Sequence, residues 1–231
     1  MTPLVLIPGM MCDARLFGPQ VDAFSMDYDL IFASITEEAS VKKLAERVLS
    51  QAPERFAVAG LSMGGIVAME MLRIAPQRIE RIALMDTNPM AETEQVKAGR
   101  IPQMMAVREG RLASVMRDEM KPKYLAPGPG RKDVLDLCMK MALDIGPHAF
   151  LRQSRALMDR PDQTETLRGS TIPSLILCGR YDKLCPITRH EYMASLMPHA
   201  DFEVIEDAGH LPTLENPDAT NQALARWLEA A

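Results

Sequence analysis

Residues 56–65 read Phe-Ala-Val-Ala-Gly-Leu-Ser-Met-Gly-Gly, and this stretch decides the fold. An apolar run with the β-branched Val58 enters Gly60–Gly64, and residues 66–75, IVAMEMLRIA, continue with helical periodicity until Pro76. That is a strand, a sharp turn and a helix. Reversing direction within about two residues forces strained backbone angles on the residue at the turn. Gly60 and Gly64, on either side of Ser62, remove Cβ atoms that would collide as strand and helix approach. The Ser62 hydroxyl then stands clear of the sheet, and the N–H groups of the helix start point toward any nearby negative charge. Ser62 is therefore placed as a nucleophile. A serine that merely caps the helix would leave the same local pattern, so partners elsewhere in the chain must decide.

Outward from this stretch the chain alternates. Strands are predicted over residues 4–7, 29–35, 56–61 and 79–85, and helices over 14–24, 40–51 and 62–75. Short alternation of this kind implies a parallel sheet with right-handed crossovers and helices on both faces. The rhythm then breaks. Residues 90–169 carry helical patterns, at 95–108 and 133–143 for example, separated by Pro122, Pro127-Gly128-Pro129-Gly130 and Gly146-Pro147. Strands resume at 174–178 and 201–205, with helices at 188–197 and 217–229. The expected fold class is α/β, one domain of residues 1–89 and 170–231 interrupted by a helical insertion, 90–169.

Composition limits the partners. The chain has 231 residues, 47% of them hydrophobic, and a formal net charge of -5, which gives no reason to expect nucleic acid or an anionic membrane. Cys12, Cys138, Cys178 and Cys185 are scattered without CxxC pairing, as expected of free thiols in a reducing cytoplasm. The apolar start PLVLIPGMM has no basic leader, and no run is long enough to cross a bilayer. A cytoplasmic protein is expected.

A serine hydroxyl needs a base to take its proton and a carboxylate to orient that base. Of the four histidines, His190 lies inside a predicted helix, His199 before a strand and His148 in the insertion, and these three are expected to be bystanders. His210 follows the last strand in Asp207-Ala208-Gly209-His210-Leu211-Pro212, on the sheet edge where ligands gather. Asp182 leaves the same edge in Gly179-Arg180-Tyr181-Asp182. Asp86, at the end of the fourth strand, competes for the role of acid, although the Gly-x-x-Asp turn aims Asp182 better. Serine, acid and base then come in the chain order Ser62, Asp182, His210.

With these motifs in place, the chain resembles an α/β-hydrolase of the small, serine-dependent kind that includes carboxylesterases and carbon-carbon hydrolases. Gly60-Leu61-Ser62-Met63-Gly64-Gly65 matches the nucleophile elbow, and Gly179-Arg180-Tyr181-Asp182-Lys183-Leu184-Cys185-Pro186 the acid turn. Gly209-His210-Leu211-Pro212-Thr213-Leu214-Glu215-Asn216-Pro217 matches the histidine loop. The resemblance implies that the insertion is a cap over the site. It argues against the epoxide hydrolase and dehalogenase branches, which use aspartate where this chain has Ser62. Where the family commonly has His-Gly after its first long strand, this chain has Pro8-Gly9-Met10-Met11, so the backbone N–H groups of Met10 and Met63 are the expected oxyanion hole. The antiparallel strands that often precede this strand are missing, and a minimal sheet of about six parallel strands is expected.

The insertion also suggests a substrate. It carries Met90, Met104, Met105, Met116, Met120, Met139, Met141 and Met158, a large share of the 18 methionines, suited to an adaptable apolar pocket or to ordinary helix packing. It is locally basic too: Arg100, Arg108, Arg111, Arg117, Lys121 and Lys123 form either a solvated surface or a docking patch for acyl carrier protein or a coenzyme A thioester. The solvated surface is the reading favoured by the residues themselves; the second has its precedent in the resemblance, since similar methyl esterases act on carrier-bound esters. The expected activity is hydrolysis of carboxylic esters or thioesters through a Ser-His-Asp triad and an acyl-enzyme, with no metal or organic cofactor. A carbon-carbon bond hydrolase or lyase would use the same triad, and an inactive binding module would keep the fold.

Overall fold

The computed structural model describes residues 2–128 and 130–230, so of the Pro127–Gly130 break Pro129 lies outside the described residues. In chain order the elements are β1 (Leu4–Ile7), α1 (Gly18–Phe24), β2 (Leu30–Phe32), α2 (Val41–Gln51), β3 (Phe56–Leu61), α3 (Met63–Ile74) and β4 (Ile79–Met85). The segment after β4 is helical: α4 (Glu94–Arg108), α5 (Leu112–Ser114), α6 (Arg131–Ile145), α7 (Pro147–Met158) and α8 (Thr164–Arg168). Then come β5 (Ser174–Gly179), α9 (Ile187–Leu196), β6 (Asp201–Ile205), α10 (Pro212–Glu215) and α11 (Pro217–Glu229). The six strands pair in parallel in the order β2-β1-β3-β4-β5-β6. This is the α/β architecture the alternation predicts.

Alternate residues of each strand feed opposite layers, as the two-residue period of a strand requires. Val5, Ile7, Val58, Ile82 and Leu84 face the layer filled by α2, α3 and α9, where Leu44, Val67 and Met193 are buried. Leu4, Leu6, Ala57, Ala59 and Leu175 face the other layer, with Phe17, Phe24, Leu224 and Trp227 of the segments leading into and forming α1 and α11. The helical segment between β4 and β5 is not packed separately. Val107, Met116, Phe150 and Leu157 belong to the same apolar cluster as Val5 and Val58.

Two elements differ from the predicted bounds by more than two residues. The helix predicted over 14–24 is split: a 3₁₀ turn, Ala14–Phe17, capped by the Asp13 carboxylate accepting from Arg15 N–H, gives way at Gly18-Pro19 to α1. Proline lacks the N–H that would carry one helix through and is tolerated only in a first turn. The strand predicted over 29–35 pairs only from Leu30 to Phe32, because it lies at the sheet edge against the four-residue β1. Ile35 is still fully buried, packed in the core rather than paired.

The centre of the sheet fits because of its glycines. A Cβ at Gly64 would lie 2.0 Å from the Ile7 carbonyl oxygen, and one at Gly179 would lie 1.9 Å from the Gly209 carbonyl oxygen. The ends of β1 and β5 therefore touch the backbone of α3 and of the loop after β6 directly. No described helix is long and apolar enough to cross a membrane, and all four cysteines are free.

Candidate active site

The only non-glycine residues with positive φ among those described are Met11, Ser62, Asp86 and Asp207. They follow β1, β3, β4 and β6, so the backbone distortion is concentrated along one edge of the sheet. Ser62 has φ 55° and ψ -115°, a region that side-chain-bearing residues leave unless their surroundings hold them there. Here its N–H donates to the Met85 carbonyl (2.8 Å), and its carbonyl accepts the Thr87 hydroxyl (2.7 Å). Both ends of the turn are tied to the end of β4.

Ser62 Oγ lies 2.9 Å from His210 Nε2, and His210 Nδ1 lies 2.8 Å from Asp182 Oδ2. Acid and base are almost completely buried, at 5% and 4% exposure. An ionised carboxylate only accepts, so Nδ1 carries the proton and Nε2 is free to accept from the Ser62 hydroxyl. The other Asp182 oxygen accepts from Leu184 N–H (2.7 Å) and Cys185 N–H (3.0 Å). Burial alone would raise the Asp182 pKa. The adjacent His210, its hydrogen bond and the two backbone donors outweigh burial and hold it at about 2. His210 N–H donates to the Tyr124 carbonyl (2.6 Å), so the histidine loop leans on the segment between β4 and β5.

The structure separates the two competing carboxylates. Asp86 is fully buried, but its Oδ1 accepts from Gly179 N–H at 2.9 Å and supports the end of β5. Burial first, and the negative Asp182 second, push its pKa well up. His190, one of the histidines not expected to be the base, has a structural part instead. It is fully buried, and its Nε2 accepts from Thr87 N–H at 3.1 Å, fixing the loop that holds Ser62. Burial drives its pKa down to about 4.

The turn after β1 is closed by Cys12 N–H donating to the Gly9 carbonyl (3.1 Å). Among the described residues, the N–H groups of Met10 and Met63 have no protein acceptor, and both residues line the cleft with Ser62 and His210. Gln153 of α7 is a residue that sequence reasoning missed. It is fully buried, accepts from Met11 N–H (3.0 Å) through Oε1 and donates to the Ile35 carbonyl (3.1 Å) through Nε2. A signal existed: Gln153 interrupts the apolar face made by Ala149, Phe150, Ala156 and Leu157.

The cleft has a volume of about 560 Å³. Of the insertion methionines only Met90 and Met120 line it; Met116 and Met141 are buried in the apolar layers and Met105 is exposed. The basic set divides as well. Arg100 is turned inward in a two-pronged ion pair with the buried Glu92, and Lys121 is buried with its ammonium donating to the Leu135 carbonyl. Neither is available to a docking partner, which corrects that part of the expectation. Arg108 and Lys123 are exposed, while Arg111 and Arg117, also exposed, pair with Glu109 and Asp118.

The donor atoms of Asp182, Cys185 and His210 lie within 4.8 Å of one another. A cation there would compete for His210 Nδ1 with the Asp182 bond, and burial followed by the Asp182 charge keeps the thiol of Cys185 protonated. The residues fit a hydrogen-bonded relay better than a metal centre.

A family model described as "Alpha/beta hydrolase family" matches residues 5–223. The chain is 25% identical to a pimeloyl-[acyl-carrier protein] methyl ester esterase of Aliivibrio salmonicida, covering 98% of this chain and 92% of that protein. Among solved structures it is similar to a thermophilic esterase from Thermogutta terrifontis with malate bound: TM-score 0.90, 26% identity, 99% of this chain and 89% of that one. An enol-lactonase from Burkholderia xenovorans LB400 has the same fold, with TM-score 0.87 at 19% identity over 99% of this chain and 92% of the other.

Proposed function

The chain belongs to the alpha/beta hydrolase family, and from that premise we propose that it hydrolyses carboxylic esters through an acyl-enzyme on Ser62. The observation that carries the reading is the unbroken relay from Ser62 Oγ through His210 to Asp182, at 2.9 and 2.8 Å. As Ser62 Oγ bonds to the ester carbon, its proton passes to His210 Nε2, and Asp182 stabilises the imidazolium. The carbonyl oxygen becomes an oxyanion facing the N–H groups of Met10 and Met63. Collapse of this intermediate breaks the bond to the leaving alcohol, which takes the proton from Nε2. Water then gives a proton to His210 and attacks the acyl carbon; as the acyl–Oγ bond breaks, His210 returns that proton to Ser62 Oγ, and the acid is released.

The esterase relative supports an ester substrate. Residues 90–169 act in this reading as the cap, contributing Met90, Met120 and Tyr124 to the cleft. A finer reading is an acyl group delivered on acyl carrier protein or coenzyme A, docked by the exposed Arg108, Arg111, Arg117 and Lys123. It would show as turnover of a carrier-bound ester that falls with salt while a small neutral ester is unaffected.

The test of the main reading is a fluorophosphonate probe with peptide mapping beside p-nitrophenyl ester turnover. Labelling at Ser62 and its disappearance in Ser62→Ala, with turnover down by about a million-fold, is the expected result. Undiminished turnover in Ser62→Ala would refute it.

A further inference from the structure

One wall of the cleft holds more positive charge than the protein neutralises. Arg160, just past α7, has 8% of its side chain exposed. Among the described residues its guanidinium makes one hydrogen bond, from Nε to the Met90 carbonyl at 2.9 Å. Nη1 stands 3.9 Å from the Glu92 carboxylate, outside hydrogen-bond range. Glu92 is already engaged, because Arg100 donates to it through Nε (2.8 Å) and Nη2 (2.5 Å). One buried carboxylate thus faces two guanidinium groups, and a positive charge is left over.

Arg189, half-buried on α9, adds another, and it has no ion-pair partner among the described residues. Both arginines line the cleft. Burial first lowers the Arg160 pKa, and among its neighbours Glu92 and Cys185 oppose that while Arg100 and Arg189 add to it. Cys185, whose sulfur is within 4.8 Å of the donor atoms of Asp182 and His210, lines the same cleft and feels the charge of both arginines. The surplus charge therefore sits beside the relay, in the wall of the same cleft. Lys123 and Lys183, both exposed, add positive charge to the lining, and Glu119 is the carboxylate there besides Glu92.

Among the described residues neither Nη group of Arg160 has a hydrogen-bond acceptor, and its charge shares the Glu92 carboxylate, 3.9 Å away, with Arg100, so these donors are left to whatever enters the cleft. The planar fork of an arginine fits a carboxylate edge. We propose that Arg160 and Arg189 receive a carboxylate carried by the substrate, so that the cleft selects esters with a free carboxylate near the scissile carbonyl, such as monoesters of short dicarboxylic acids. This selectivity rests on the reading of Ser62 as the nucleophile, but the anion seat itself does not.

The experiment has a kinetic arm and a binding arm. In the first, kcat/KM is measured for monomethyl succinate, glutarate and adipate against the matching dimethyl esters. At least one monoester should exceed its diester by roughly ten-fold or more. That ratio should fall toward unity in both Arg160→Gln and Arg189→Gln. Arg189 is half-buried and without an ion-pair partner among the described residues, so its variant carries the test if the Arg160 variant fails to fold. In the second arm, the melting temperature of Ser62→Ala is followed with added succinate, glutarate, adipate or inorganic phosphate at constant ionic strength.

A dicarboxylate should raise that temperature more than phosphate does, and the rise should vanish when Arg189→Gln is added. Diester turnover equal to monoester turnover with no dicarboxylate shift would overturn the inference while leaving the hydrolase standing. A ratio that survives both substitutions, or a phosphate shift as large as the dicarboxylate one, would overturn it too. Absence of all ester turnover with a clear dicarboxylate shift would refute the hydrolase and keep the anion seat.

Discussion

Asp182 and Asp86 are both buried aspartates at strand ends, yet their surroundings shift their pKa values in opposite directions. The Asp182 pKa is held low, against burial, by His210 and the two backbone donors, whereas that of Asp86 is pushed up by burial and by Asp182 itself. The Asp86 oxygen accepts from Gly179 N–H, which an amide oxygen can do as well, so Asp86→Asn should retain most activity. Asp182→Asn should lose about ten-thousand-fold in kcat, because the imidazolium loses its orienting charge. Steady-state kinetics on both variants decides, and the reverse ranking would move the acid to the fourth strand. His190 gives a pH prediction. Its pKa falls from 6.5 to about 4 on folding, so the unfolded chain binds the extra proton, and its contribution is complete above pH 6.5 and lost as pH falls toward 4. Over that window the loss is about 3 kcal/mol. Asp86 and Glu215, both raised, oppose this slope but are shared by parent and variant. Urea midpoints between pH 7 and 4.5 should therefore fall less steeply in His190→Gln, whose amide oxygen can still take the Thr87 N–H, and parallel slopes would contradict this. Only part of this scale was legible beforehand. Ser62, His210 and Asp182 have neighbours in sequence that announce a turn or a strand end, whereas His190 reads as one polar residue in a helix, and its role depends on Thr87, 103 positions away.

At the scale of elements, α7 holds the turn after β1 through Gln153, and nothing else among the described residues bonds to Met11 N–H. Gln153→Met should leave that N–H unpaired and let the Met10 donor drift. The expected result is a fall of roughly ten-fold to a hundred-fold in kcat with a small change in KM, since an oxyanion donor acts chiefly in the transition state. Gln153→Glu, which keeps one acceptor, should recover part of the loss. A change confined to KM would make Gln153 a wall of the cleft instead. The strands β3, β4 and β6 and the helix α11 were readable to the residue, because buried apolar runs bounded by Gly or Pro leave little choice. The short β2 was not, since its pairing is limited by the length of β1 and not by its own composition. The contact between α7 and the turn after β1 was equally hidden, as it joins residues 142 positions apart.

For the whole molecule, charge was legible as a total but not as a distribution. The basic run in the insertion suggested one surface, and folding splits it into the inward Arg100 and Lys121, the paired Arg111 and Arg117, and the exposed Arg108 and Lys123. Burial of one helix face and not another makes that division, and it is set by packing between helices distant in sequence. The strained turn at Ser62 has a measurable effect on global stability. Alanine there keeps the Cβ that conflicts with φ 55° and ψ -115°, while glycine does not. Both lose the hydroxyl, so Ser62→Gly should be the more stable of the two by about 1 kcal/mol, or about 2–4 °C in melting temperature. Differential scanning calorimetry of the pair tests this, and the usual order with alanine ahead would mean the turn is relaxed. The same comparison bears on inheritance. A lineage with no use for the hydroxyl would find a better-fitting residue one substitution away, so serine at 62 is held against the preference of its own backbone. In a library propagated for folding alone, glycine should accumulate at that position, and in one propagated for turnover it should not.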